Sequence, residues 1–220
     1  KSQGNVLHPL KVAEQFGVES IRCWVATSTH STDVTISIEQ LQQMKEQVTK
    51  IRNYLKFVYG NTIGSSPIAK PSSLFAIDRY LLSLLQDTLE KYFNLMEDLQ
   101  IEKATNSLFK FFHHDLSTFY FSSSKDRLYC DSISSTYRNS CLYTLERCKK
   151  ILLKCLFPIL PFTVEELISN QQLNTIDYLL DINVEEEETR DILLMQEGDL
   201  IRNQKSKIHQ KLKELSIHPL

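Results

Sequence analysis

From residue 38 to residue 58 the apolar side chains Ile38, Leu41, Met44, Val48, Ile51, Leu55 and Val58 recur at intervals of three and four. Only an α-helix, at about 3.6 residues per turn, gathers that spacing into one stripe. A stripe of this length cannot stay in water, so the helix requires partners of comparable length. Its start is marked by Ser37 and Gln40, which have the spacing of a capping box. Its end falls near Gly60-Asn61, where GNTIGSSPIAKPSS supplies the Gly, Ser and Pro of a helix-to-helix connection.

The partners follow in the chain. SLFAIDRYLLSLLQDTLEKYFNLMEDLQ reads as a second long helix, and IEKATNSLFKFFHHDLSTFYFSSSKDRLYC as an aromatic-rich third that is helical through about Tyr120 and then bends or continues. A fourth runs from about Thr136 to Phe157 and is closed by FPILPF, after which Thr163 and Glu166 have the spacing to cap a short helix beyond Pro161. Upstream, HPLKVAEQFG and VESIRCWVAT predict two short helices split at Gly17, the second turning Ile21, Trp24 and Val25 toward a core; THSTDVTIS reads as an extended connection. Five glycines and six prolines in 220 residues are too few for a chain that must turn every ten residues. The expected fold is all-α: an antiparallel helical bundle over 37–168, preceded by a short helical and extended linker over 1–36. Residues 169–220 follow as an acidic loop and a basic helical extension.

No apolar run reaches the ~18 to 20 residues of a membrane span, since ILLKCLFPILPF is interrupted by lysine and proline. No positively charged start with an apolar stretch behind it marks a secretion or transit signal. Five cysteines in no CxxC arrangement predict a reducing compartment. Cys141, Cys148 and Cys155, seven apart, stack about 10.5 Å from each other along a helix, too far to share a metal; they read as a core-facing stripe with Leu145 and Leu152. The net charge of −2 conceals an uneven distribution. Residues 99–155 carry nine basic and five acidic side chains, 156–200 one and eleven, and 201–220 five and one. A local basic face can therefore meet phosphates while an acidic segment lies elsewhere.

No complete catalytic constellation is present: P-loop, GxGxxG, HExxH and GxSxG are all missing. His113 and His114 are adjacent, point about 100° apart on a helix and cannot chelate one ion together, so no metal site is expected. The EEEE run at 185–188 reads as a solvated face or helix start. The aromatic cluster Phe109, Phe111, Phe112, Phe119, Tyr120 and Phe121 has the chemistry to stack unpaired bases, but its density suits a core better.

Three stretches, in order, carry a resemblance. KSQGNVLHPLKVAEQFGVESIRCWVATSTHSTDVTIS, then IRNYLKFVYGN, then FYFSSSKDRLYC with FPILPFTVEEL, resemble the part of isoleucyl-tRNA synthetases that runs from the end of the KMSKS loop into the anticodon-binding domain. The likeness covers roughly residues 1–168, and the KDRLY wording is closest to bacterial and mitochondrial members. Valyl- and leucyl-tRNA synthetases share the layout but not the combined FYF and KDRLY wording.

The resemblance implies that Lys1 and Ser2 are the last residues of an ATP-handling KMSKS loop. It also implies that the chain is a non-catalytic, C-terminal piece of an isoleucine–tRNA ligase, since the HIGH motif and nucleotide-binding core are not in it. ATP with Mg2+ would serve the full-length enzyme and would not be expected on this piece. The implied partner is isoleucine-accepting tRNA, not DNA and not a membrane, met by a monomer in the mitochondrial matrix or, alternatively, the cytoplasm. Within the matched motifs Lys50, Arg52, Asn53, Lys125 and Arg127 are the candidate tRNA contacts, Arg52 and Asn53 serving equally as braces of the bundle. Three departures from the pattern stand out: SSS between FYF and KDRLY, no W-x-x-v-x-x-x-R pattern over 169–198, and no zinc-binding cysteine tail. A helical protein-interaction scaffold, docking through the acidic 181–199 segment, is the competing reading.

Overall fold

The computed structural model describes residues 7–29, 31–62 and 70–169, together with Leu179 and Asp199. Among these the regular structure is entirely helical: α1 (Pro9–Phe16), α2 (Val18–Thr27), α3 (Ile38–Thr62), α4 (Ala76–Glu97), α5 (Ile101–Lys110), a π-helical segment (Phe111–Phe121), α6 (Ser122–Tyr129), α7 (Thr136–Leu156) and α8 (Pro161–Ser169). Helices α3, α4, the continuous α5–π–α6 rod and α7 pack around one core. Apart from Ser169, Leu179 and Asp199, the acidic and basic stretches expected over 169–220 lie outside the described residues.

α3 starts where its capping box predicts: the Ser37 N–H donates to Gln40 Oε1 at 3.0 Å, and the Gln40 N–H to Ser37 Oγ at 3.2 Å. Leu41, Val48, Ile51, Leu55 and Val58 of the predicted stripe are buried. α7 buries Cys141, Cys148 and Cys155 with Leu145 and Leu152, the stripe expected of that spacing. Burial pushes the Cys155 thiol up to about 12 and that of Cys141 up to about 11, so both act as small apolar groups.

Gly17 separates α1 from α2 at φ +85°, a conformation open to glycine at little cost. Two expectations need correction here. Ile21 packs as expected against Val12, Phe16 and Leu41, but α2 presents Cys23 and Ala26 to the main core while Val25 is exposed and Trp24 half-buried. Small side chains on that face let α2 lie close to α3, with Cys23 Sγ and Thr27 Oγ1 both against Met44 Sδ. α2 thereby contributes Cys23 and Ala26 to the bundle core.

The second correction concerns α8. Thr163 lies inside the helix and forms no box with Glu166, and the cap comes from Glu19 on α2 instead. The Glu19 carboxylate accepts the Thr163 N–H at 2.8 Å through Oε1 and the Thr163 hydroxyl through Oε2. A buried anion at a helix N-terminus meets both the free N–H groups and the positive end of the helix dipole.

The π-helical segment was not predicted, and its sequence explains it. Phe111, Phe112, Leu116, Tyr120 and Phe121 are all buried. At 100° per residue they would scatter over most of the helix circumference. With hydrogen bonds reaching i+5 and about 4.4 residues per turn, the same five fall within an arc of roughly 100°, and the exposed His114 and Thr118 face away from it. The wider winding is what allows one rod to bury most of its aromatic cluster, with Phe119 left half-buried at its edge.

Candidate nucleic-acid interface

The residues singled out from sequence are spread over distinct places. Lys1 and Ser2 lie outside the described residues. On α3, Lys50 and Asn53 are three apart, share a face and are exposed. Arg52, about 200° round the helix from Lys50, turns instead to α8, where its guanidinium pairs with Glu166, and Lys56 Nζ reaches the same carboxylate at 3.2 Å. Partial burial alone would raise the Glu166 carboxyl, but the Lys56 and Arg52 cations outweigh it and hold the group below its usual value. Arg52 therefore braces α3 to α8.

Lys125 and Arg127 are two apart on α6 and so face opposite ways. Lys125 is exposed. Arg127 is a correction: its side chain is 2% exposed and points into the bundle rather than at a phosphate. Its Nη1 and Nη2 donate to Asp78 Oδ1 and Oδ2 at 2.8 and 2.6 Å, and Nε and Nη2 to the Tyr137 carbonyl at 3.2 and 2.7 Å. The Tyr137 ring lies 3.9 Å from its Cζ. Asp78, fully buried, also accepts the hydroxyls of Tyr120 and Ser140. One carboxylate thus ties together α4, the π segment, α6 and α7. Burial disfavours the Arg127 cation, but Asp78 more than restores it and the guanidinium stays charged; burial likewise keeps the Tyr120 phenol protonated.

A groove of about 220 Å³ opens between α2, α3, α5 and the π segment. Met44 and Phe109 give it apolar surface, and Gln47, Lys110, His113 and His114 give it polar and basic edges. His113 is half-buried, with Tyr54 edge-on at 6.2 Å between ring centroids. Burial first, then the charges of Lys50 and His114, hold its imidazole below the ordinary value. Gln47 Oε1 and His113 Nε2 are buried and lack a hydrogen-bond partner. The sequence reading of the adjacent histidines as surface or aromatic-packing side chains rather than joint metal ligands agrees with His113 beside Tyr54 and His114 exposed. Their meeting with Lys50 and Gln47 is a product of α3 packing against the π segment and leaves no trace in local spacing.

Among the described residues no group of three or more His, Cys, Asp or Glu is placed to hold a metal ion, and no helix is long and apolar enough to cross a membrane. The fold is a helical bundle on which Lys50, Lys110 and Lys125 are exposed, while Arg52 and Arg127 are engaged in ion pairs between helices.

The family described as "Anticodon-binding domain of tRNA ligase" matches residues 78–217, and the chain belongs to that family. Its curated relatives include the isoleucine–tRNA ligase of Thermotoga petrophila, 35% identical over 173 residues, covering 77% of this chain and 19% of that one. The mitochondrial isoleucine–tRNA ligase of Macaca fascicularis is 34% identical over 182 residues, covering 77% and 18%. The chain thus spans about a fifth of the length of the curated relatives it matches. Among solved structures, the LeuRS–tRNA–LeuAMS ternary complex of Agrobacterium radiobacter shares the fold, with a TM-score of 0.61 at 20% identity over 89% of this chain and 22% of that one.

Proposed function

We propose that this chain is the part of an isoleucine–tRNA ligase that holds the anticodon arm of isoleucine-accepting tRNA. The observation that carries the reading is family membership over residues 78–217 on a helical bundle that keeps Lys50, Lys110 and Lys125 exposed. Phosphates would meet these cations and set register, and unstacked bases would supply sequence preference. The isoleucine relatives favour that ligase over the valine and leucine enzymes.

In the complete ligase the bundle would fix one end of the tRNA while the reaction proceeds at the other. ATP with Mg2+ is the expected co-substrate there. The only residues of this chain proposed toward it are Lys1 and Ser2, so the 220 residues alone are expected to bind and not to catalyse. The mitochondrial matrix is the proposed compartment; the bacterial and mitochondrial relatives match about equally well. A monomer is proposed.

The test is a competition among isoleucine-, valine- and leucine-accepting tRNAs for the purified chain, run beside an assay for isoleucyl-adenylate. Preference for the isoleucine-accepting tRNA with no adenylate supports the proposal. Equal binding of all three contradicts the assigned specificity, and adenylate formation contradicts the non-catalytic role.

A further inference from the structure

We propose that the groove between α3 and the π segment is a subsite for one unpaired nucleotide of the bound RNA. The base enters over Phe109 and Met44 against Gln47 and His113, and the flanking phosphates lie against Lys50 and Lys110. This rests on the tRNA-holding reading and adds to it a site with named residues.

Four observations converge. The groove, at about 220 Å³, has room for a single base and includes the apolar side chains Met44 and Phe109 in its lining, as a stacking surface requires. Gln47 Oε1 and His113 Nε2 are buried without partners, and a buried polar atom left unpaired costs stability unless something supplies the missing bond. The edge of a nucleobase carries the donors and acceptors both atoms lack. One cation, Lys110, lines the groove, and a second, the exposed Lys50 of α3, is near enough to His113 to oppose its protonation. A phosphate placed there would relieve that repulsion. The fourth observation is the π winding itself, a rare geometry frequent at functional sites, which is what brings His113 beside Tyr54 while His114 stays in solvent.

The orphaned pair argues for a base rather than a bare phosphate, which would gain nothing from Gln47 Oε1, an acceptor. Duplex RNA does not fit either, because its bases are stacked and cannot enter a groove of this size.

The experiment titrates the full chain with isoleucine-accepting tRNA while following the imidazole resonances of His113 and His114. The titration is repeated on Asn106→Trp, which plugs the mouth of the groove from an exposed position, and on Gln47→Ala. Thermal melts confirm that each variant is folded. The expected result is a shift of the His113 signals on saturation of the wild type, a fall in affinity of about five- to hundredfold in Asn106→Trp, the range for loss of one stacked base, and a fall of about two- to tenfold in Gln47→Ala, the range for one lost hydrogen bond. The slope of log affinity against log salt should stay unchanged in Gln47→Ala, because no phosphate contact is removed. Wild-type affinity in both variants with unmoved His113 signals would overturn the subsite and leave the tRNA-holding reading standing. No binding by the wild type at low salt would overturn both.

Discussion

At the scale of single residues, two side chains only two positions apart in the sequence have opposite fates. KDRLY puts Lys125 and Arg127 in one short basic motif, and nothing in that string says which one faces water. Asp78, forty-nine positions away, decides it by drawing Arg127 inside. A buried ion pair broken on one side leaves an uncompensated charge, so Arg127→Ala should lose about 3 to 5 kcal/mol in chemical denaturation. Arg127→Lys keeps the charge but not the two-pronged contact and should lose less, about 1.5 to 3 kcal/mol. Whichever fraction of the lysine variant is folded should bind tRNA as tightly as the wild type, because the guanidinium does not reach the surface.

His113 makes a pH prediction at the same scale. Its imidazole is held below the ordinary 6.5 by burial, Lys50 and His114, so the folded chain resists a proton that the unfolded chain accepts. The sign follows: this contribution is fully present above about pH 6.5 and is lost as pH falls through the depressed folded value. Melting temperature should drop more steeply between pH 7.5 and 5 in the wild type than in His113→Gln, and parallel curves would remove His113 as a source of the slope.

At the scale of elements, most helices were legible because their signals are local. The capping box at Ser37 and Gln40, the three-four stripe of α3 and the seven-residue cysteine stripe of α7 all depend on neighbours within a few positions. The π segment escaped for a physical reason. Its buried aromatics follow a period near 4.4, and a reading at 3.6 sees a cluster with no face. The cap on α8 escaped for another, since Glu19 is 144 positions from Thr163 and no local pattern announces it.

The π winding can be tested by length. Deleting His114, an exposed residue, shortens the rod by one position. It should rotate Phe111 and Phe112 out of register with Tyr120 and Arg127, costing at least about 3 kcal/mol through the broken contacts to Asp78. His114→Ala, which leaves the length unchanged, should stay within about 0.5 kcal/mol of the wild type. Equal stability of the two would mean that the extra residue per turn does not hold the core together.

At the scale of the whole molecule, the candidate interface was only half legible. The resemblance pointed to Lys50, Arg52, Asn53, Lys125 and Arg127 as a set. Packing divided them by sending Arg52 to Glu166 and Arg127 to Asp78, and it added Lys110, His113, His114 and Gln47, which only the tertiary arrangement brings together. What remains outward is a group of lysines on a bundle braced from within, a division suited to gripping a charged partner without deforming. Each lysine that meets a phosphate should add about one unit to the salt dependence of binding.

The most direct test is therefore the affinity of the chain for isoleucine-accepting tRNA measured across salt concentration, for the wild type and for Lys50→Ala with Lys125→Ala. The account predicts saturable binding that weakens steeply with salt, and a double variant that binds less tightly with a slope shallower by up to about two. Binding absent at low salt, or a double variant with unchanged affinity and slope, would contradict it.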